Sequence, residues 1–456
     1  MGTTTTHAGG EPPGRGIGMS MGTEVIAVRG GTPLRGDVTI GGAKNAALPM
    51  MAACLLTEDE CTLENVPDIA DVHTMAELLR HLGATVNLDL AHHRVTICAR
   101  TLTRTQPPVE LVEKMRASFL VTGALLARTG EMSSAQPGGC KLGARPVTVD
   151  MRGFEQLGAK ITQEDGGHRA IAPRLVGTDV YLDYPSHTGT ENLMMAATLA
   201  EGDTTIINAS PEPEVIALGD FLNRMGAYVR GIGTSTIRVR GKRQLFGGHG
   251  VVMSDRLEAG TFAFAAAITR GDVTLHANTI AEFEPETMTP VTQKLREAGV
   301  TVKFLDHRTM RVSAGKQLRA TDIQALAFPG FPTDLQACFA ALMTQADGCS
   351  NIFERVFDDR LKYASEMETL GAKMQVLSPT KARVFGPTRL HGGDVTALDI
   401  RSGSALVLAG LVAEGRTHVG DVHHLRRGYE RFIEKLAGLG ATITYAEAEA
   451  TLPVAD

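Results

Sequence analysis

Residues 133–147 read SSAQPGGCKLGARPV. Pro137, Gly138 and Gly139 lead into Cys140, with Lys141 and Arg145 close behind. A structural cysteine normally sits among apolar residues, whereas this one sits among turn formers and cations. Nearby positive charge lowers a thiol's pKa and raises its thiolate fraction. Proline and glycine here predict a loop that can move and bring backbone close to a ligand. Cys140 is therefore read as a reactive thiol presented to a substrate, the alternative being an incidental exposed cysteine.

A set of cations accompanies it. Lys44 follows Gly41-Gly42-Ala43 where a strand passes into an Ala-rich helix. Glycines before a helix expose backbone N–H groups, so this is either an anion site in outline or a plain turn with a solvated lysine. Arg116 opens RASFLVTGALL, Arg401 opens RSGSALVLAG and Arg427 lies in RRGYERF. With Lys44, each is placed at or just before a predicted helix start, where positive charge opposes the helix dipole. Placement against local preference predicts a shared anionic ligand, such as a phosphate held by arginine forks. Asp334 (FPTDLQ) and Asp399 (LDIRS) each precede an apolar helix. Both read first as N-caps. A carboxylate beside cations in a cleft is also a candidate general base.

Such a site needs a scaffold, and the scaffold repeats. Six segments share a Leu-Gly-Ala-like pattern after an amphipathic run, with glycines at 83, 158, 226, 299, 371 and 440. Their spacings are 75, 68, 73, 72 and 69 residues. The pattern predicts a helix, a glycine at its C-terminal end and then a strand. Between them lie six Ala-rich apolar stretches, such as AFAAAITRGDVTLHA, each read as a helix, a turn and a strand. Apolar residues nearly all round those helices predict burial. Six units of about 70 residues, in two sets of three, predict an α/β fold with helices inside and sheets outside.

The remaining composition narrows the classes. The chain has 456 residues, more than one hydrophobic core usually supports, so two domains are expected. Net charge is −6, with no long basic run, which argues against a nucleic-acid partner. No stretch approaches the roughly 18 apolar residues of a membrane span. Residues 1–22 carry no apolar signal core and read as a disordered tail, with Met19 or Met21 as alternative starts. None of the six cysteines forms a C-x-x-C pair, so no metal is expected. Cys54 and Cys338, in helix-like apolar runs, read as core filler.

With these residues in view, the chain resembles the UDP-N-acetylglucosamine enolpyruvyl transferases, from about Val25 to about Tyr445. The resemblance rests on GGAKNAALP, RAS, PGGCKLGARP, PSHTGTEN, the EPE at 212–214, FPTDLQA, VFDDR, DIR and RGYER. It implies two domains, each of three βαβαββ units forming an inside-out α/β barrel. Residues 44–253 would be one, and 23–43 with 254–456 the other, with the site in the cleft between them. It implies transfer of enolpyruvyl from phosphoenolpyruvate to a sugar hydroxyl, with release of phosphate, in peptidoglycan synthesis. Lys44, Arg116, Arg145, Arg401 and Arg427 would hold phosphoenolpyruvate. Cys140 would be the loop thiol that fosfomycin alkylates, credited with acid catalysis or product release. Asp334 would take the acceptor's proton and Asp399 would assist at the methylene carbon. Asn45, Asp334, Val356, Ser186 and His187 would bind the uridine nucleotide. A monomeric cytoplasmic enzyme without cofactor or metal is implied.

Three places depart from the family pattern. Thr148 and Asp150 stand where an aspartate and a histidine are usual, Ser186-His187-Thr188-Gly189-Thr190 replaces Ser-Val-Gly-Ala-Thr, and Arg426 replaces an aspartate. All are expected near the acceptor, not the phosphoenolpyruvate. Two alternatives follow. One is transfer to another uridine nucleotide, such as uridine monophosphate in nucleoside-antibiotic synthesis. The other is a non-catalytic nucleotide-sugar sensor.

Overall fold

A computed structural model describes residues 24–138, 147–164, 166–278 and 283–447. Fourteen helices occur among them: α1 Lys44–Ala53, α2 Ala70–Leu82, α3 Val109–Lys114, α4 Val121–Thr129, α5 Thr148–Gln156, α6 His187–Ala197 and α7 Pro213–Arg224. They continue with α8 Arg256–Ile268, α9 Pro285–Glu297, α10 Gln336–Met343, α11 Tyr363–Thr369, α12 Ile400–Gly410, α13 His423–Arg426 and α14 Phe432–Gly438.

The six repeat glycines behave alike. Gly83, Gly158, Gly226, Gly299, Gly371 and Gly440 all have positive φ, between 88° and 111°. Each ends an outer helix (α2, α5, α7, α9, α11, α14) and turns the chain into a strand, a conformation that a Cβ would strain. The Ala-rich helices α1, α4, α6, α8, α10 and α12 lie inside. Every residue of α8, α10 and α12 is buried.

Five four-stranded sheets share one order, a parallel pair extended by two antiparallel strands. In one, Asp179–Tyr181 runs parallel to Asp203–Ile207, which pairs through Thr236–Arg240 to Tyr228–Arg230. The sixth, around Gly167–Ile171, shows the antiparallel three-strand part among the described residues. Strand, inner helix, strand, outer helix and hairpin make the βαβαββ unit.

Two hydrophobic cores result. One gathers residues from Ala43 to Val252. The other gathers Ile26 to Ile40 together with Leu257 to Leu439. The N-terminal strand Glu24–Arg29 completes the last sheet, between Arg416–Gly420 and Thr442–Glu447. Strand Arg35–Ile40 runs parallel to Asp272–Ala277, so one whole half is inserted after it. The chain therefore crosses between the halves twice, side by side. Ala43 N–H donates to the Met253 carbonyl (2.8 Å) and Asp255 N–H to that of Gly41 (2.9 Å). Among the described residues, no helix is long and apolar enough to cross a membrane.

Candidate active site between the two halves

Lys44 is the first residue of α1, beside the crossing strands. The glycines before it do not form an open anion cradle. Gly41 N–H is taken by Glu258 Oε2 (2.7 Å) and Ala43 N–H by Met253. Gly42 is needed for close approach, since a Cβ there would lie 1.7 Å from the Asn65 carbonyl oxygen. The positive charge at this point comes from the Lys44 side chain. Asn45 follows it on the same turn, half-buried.

Lys44 Nζ meets Asp71 Oδ2 at 3.1 Å, and Arg427 Nε meets Asp71 Oδ1 at 2.9 Å. Asp71 is in the first turn of α2, where a carboxylate suits the helix dipole, and its side chain is 3% exposed. One buried carboxylate thus joins a cation from each half. Arg427 does not start a helix as the sequence reading has it. It caps the C-terminal end of α13, where the dipole favours a cation. Its position carries no local strain, and its bond to Asp71 is long-range.

Asp334 is the second meeting point. Its Oδ2 accepts from Arg401 Nε and its Oδ1 from an Arg360 terminal nitrogen, both at 3.0 Å. It makes no cap hydrogen bond, so the capping reading fails here. Burial alone would raise its pKa, but Arg401, Arg360 and Lys44 outweigh that and hold the carboxyl well below the usual range. Phe331, packed edge-on against Phe339 (5.6 Å between ring centres), anchors the turn that carries it. Such a pair contributes about 1 kcal/mol beyond its buried area.

Arg401 is buried, over the Tyr429 ring at 5.3 Å. Its Nη1 has no hydrogen-bond partner among the described residues. A buried, unsatisfied guanidinium donor is costly unless an anion completes it. Asp399 does cap its helix. Its Oδ1 accepts from Arg401 N–H (2.7 Å) and Ser402 N–H (3.2 Å), and Ser402 completes a capping box. The cap fixes the first turn of α12 and with it the backbone of Arg401.

Cys140 and Arg145 lie outside the described residues. The segment leading to them is tied down, since Gly138 N–H donates to the Val112 carbonyl (3.1 Å), close to Arg116. Arg116 opens the short 3-10 turn 116–120. Burial lowers its pKa, against the pull of Asp150. Asp150 is buried and accepts from Asn192 Nδ2 at 2.7 Å. Burial pushes its carboxyl up to about 6, with Asn192 and Arg116 opposing.

Ser186 caps α6 through Gly189 N–H (3.1 Å). His187, the first residue of that helix, pairs with buried Glu191 at 3.1 Å. Burial disfavours its charge, but Glu191, Glu212 and Glu214 outweigh this and push it up to about 9. Glu212 and Glu214 also grip Arg256, from the other half, and Glu212 accepts from Phe328 N–H (3.1 Å). The acceptor-side departure at His187 thus sits in a second ionic contact between the halves. Arg426 turns away from Arg427 and its partner Asp71. It pairs with Glu24 (2.8 Å) and lies over the Tyr445 ring, on the outer sheet. Thr148 is exposed at the start of α5, and Val356 is exposed beside the Asp334 turn.

Three residues were missed: Asp71, Arg256 and Arg360. Arg360 was visible inside VFDDR and Arg256 at a helix start, but neither had a partner nearby in sequence. Asp71 reads locally as ordinary helix-start chemistry.

Comparison with known proteins gives the family. The family described as EPSP synthase (3-phosphoshikimate 1-carboxyvinyltransferase) matches residues 28–436. UDP-N-acetylglucosamine 1-carboxyvinyltransferase 2 of Carboxydothermus hydrogenoformans is 47% identical over 92% of this chain and 99% of its own. UDP-N-acetylglucosamine 1-carboxyvinyltransferase 1 of Caldanaerobacter subterraneus subsp. tengcongensis is 46% identical over 90% and 97%. Among solved structures, the enolpyruvyl transferase NikO from Streptomyces tendae superposes with a TM-score of 0.85 at 26% identity, covering 94% of this chain and all of that one. EPSP synthase from Acinetobacter baumannii, at 20% identity and a TM-score of 0.71 over 93% of this chain and all of its own, shares the fold. The chain belongs to the UDP-N-acetylglucosamine 1-carboxyvinyltransferases, within the EPSP synthase family.

Proposed function

We propose that this enzyme transfers the enolpyruvyl group of phosphoenolpyruvate to the 3-hydroxyl of UDP-N-acetylglucosamine and releases phosphate, as in peptidoglycan synthesis. The observation that carries the reading is the convergence of Lys44, Arg401 and Arg427 on Asp71 and Asp334, with a buried Arg401 N–H left unsatisfied. Phosphoenolpyruvate brings a phosphate and a carboxylate, the charges that these cations complement. Arg116 and Arg145 complete the cationic set, and Asn45, Ser186, His187 and Val356 contact the nucleotide sugar. We take 44–253 and 23–43 with 254–456 as the two domains, working as a cytoplasmic monomer.

The acceptor oxygen forms a bond to C2 of phosphoenolpyruvate while its proton passes to Asp334. The methylene carbon gains a proton, with Asp399 assisting. In the second step that carbon loses a proton, the C2–O bond to phosphate breaks and the enol ether leaves. Asp334 is a weak base while Arg401, Arg360 and Lys44 surround it. Arrival of phosphate redirects Lys44 and Arg401 to the substrate and raises the proton affinity of Asp334. Cys140 acts as acid or in product release.

The test is phosphate release from phosphoenolpyruvate with purified protein and either UDP-N-acetylglucosamine or 3-phosphoshikimate. Release with the nucleotide sugar alone supports the reading. Release with 3-phosphoshikimate alone defeats it.

A further inference from the structure

Glu354 ends the strand Gly348–Glu354 and is wholly buried, yet no cation bonds it among the described residues. Four neutral donors surround its carboxylate. Val356 N–H (2.7 Å) and Phe357 N–H (3.1 Å) donate to Oε1. Thr333 Oγ1 (2.8 Å) and Gln336 Nε2 (3.1 Å) donate to Oε2. An ionised carboxylate has about four acceptor sites, so these are filled. Gln336 turns its amide N–H to Glu354 while its own buried Oε1 has no partner among the described residues. The carboxylate therefore dictates the orientation of that side chain, and not the reverse.

The donors belong to two segments. Thr333 and Gln336 flank Asp334, and Val356 and Phe357 form the neighbouring loop. Arg360, three residues further on, bonds Asp334 and lies over the Phe357 ring (5.5 Å), closing the circuit. Both segments are assigned above to the acceptor. We infer that Glu354 is a positioning residue that sets the register between the Asp334 turn and the Val356 loop, and so governs acceptor binding without touching the acceptor. The inference rests on the acceptor reading of Asp334 and Val356. Phosphoenolpyruvate should be less affected, because Arg401 is fixed independently by the Asp399 cap and Tyr429.

The experiment is steady-state kinetics of E354Q with each substrate varied in turn. An amide presents hydrogens to two of the four donors. The KM for UDP-N-acetylglucosamine should rise about ten-fold or more. The KM for phosphoenolpyruvate should stay within about two-fold. A role in stability alone would lower the active fraction and leave both KM values unchanged. An unchanged acceptor KM, or an equal rise in both, overturns the inference. If E354Q does not fold, T333V removes one donor only, and its acceptor KM should rise about three-fold. No rise there overturns the inference as well. Wild-type protein inactive with UDP-N-acetylglucosamine would instead defeat the acceptor reading itself.

Discussion

Replacing Asp334 by asparagine separates its electrostatic role from its proposed chemical one. The side chain is 28% exposed, but Arg360 and Arg401 are 2% and 4% exposed. Removing one member of a buried ion pair costs about 3–5 kcal/mol, and the partial exposure of Asp334 favours about 3. The sign with pH is clear. The folded pKa lies below the ordinary 3.8, so this stability is fully present above that value and is lost as pH falls through the folded one. At neutral pH the variant should show the whole loss. At about 2–4 °C per kcal/mol, its unfolding midpoint should fall by about 6–12 °C. Phosphoenolpyruvate supplies the missing negative charge, so it should raise the variant's midpoint more than the wild type's, by about 3 °C or more. Turnover should drop about 10²-fold or more through loss of the base. Thermal scans with and without phosphoenolpyruvate, beside phosphate-release rates, measure all three. A variant that melts with the wild type, or gains no extra protection, would refute the charge argument. Near-normal turnover would refute the base.

Other substitutions test neighbouring links. C140A should fold normally, lose about 10²-fold or more in turnover and no longer be labelled by fosfomycin, as read by intact-protein mass. D399A should lose the cap and about 1–2 kcal/mol of stability. D399N, which keeps a capping oxygen, should hold most of that stability in denaturant melts yet still lose turnover. For Asp150 the folded pKa is raised from 3.8 to about 6, so the wild type loses stability as pH rises between them. D150N should therefore gain on the wild type over that window, by up to about 3 kcal/mol, and the gain should level off above about pH 6. Denaturant melts at acid and neutral pH would show it, and an equal difference at both would contradict the sign.

What was legible in the sequence is what short-range physics decides. A glycine after an amphipathic run is forced by the left-handed turn, and all six are found there. Apolar residues all round a helix can only mean burial, as in α8. Asp399 before IRSGS has its capping partners within three residues. Asp334 before LQ looks the same locally, yet its partners are 26 and 67 residues away. Asp71 and Arg427 are 356 residues apart, and nothing near either announces the other. The glycines before Lys44 suggested an anion cradle, because donors look free until the returning strand at Met253 and Asp255 is known. Neighbourhood in sequence puts Arg426 beside Arg427, but its side chain turns to Glu24 on the outer sheet.

The central claim is the identity of donor and acceptor, and one competition tests it most directly. Limiting phosphoenolpyruvate is offered to the enzyme with equal UDP-N-acetylglucosamine and uridine monophosphate, and the products are read by mass spectrometry. The account predicts the enolpyruvyl group on the nucleotide sugar, with phosphate released in equal amount. The group on uridine monophosphate would contradict it and make His187 the first position to examine. Phosphoenolpyruvate left unconsumed would contradict the assignment of a transferase altogether.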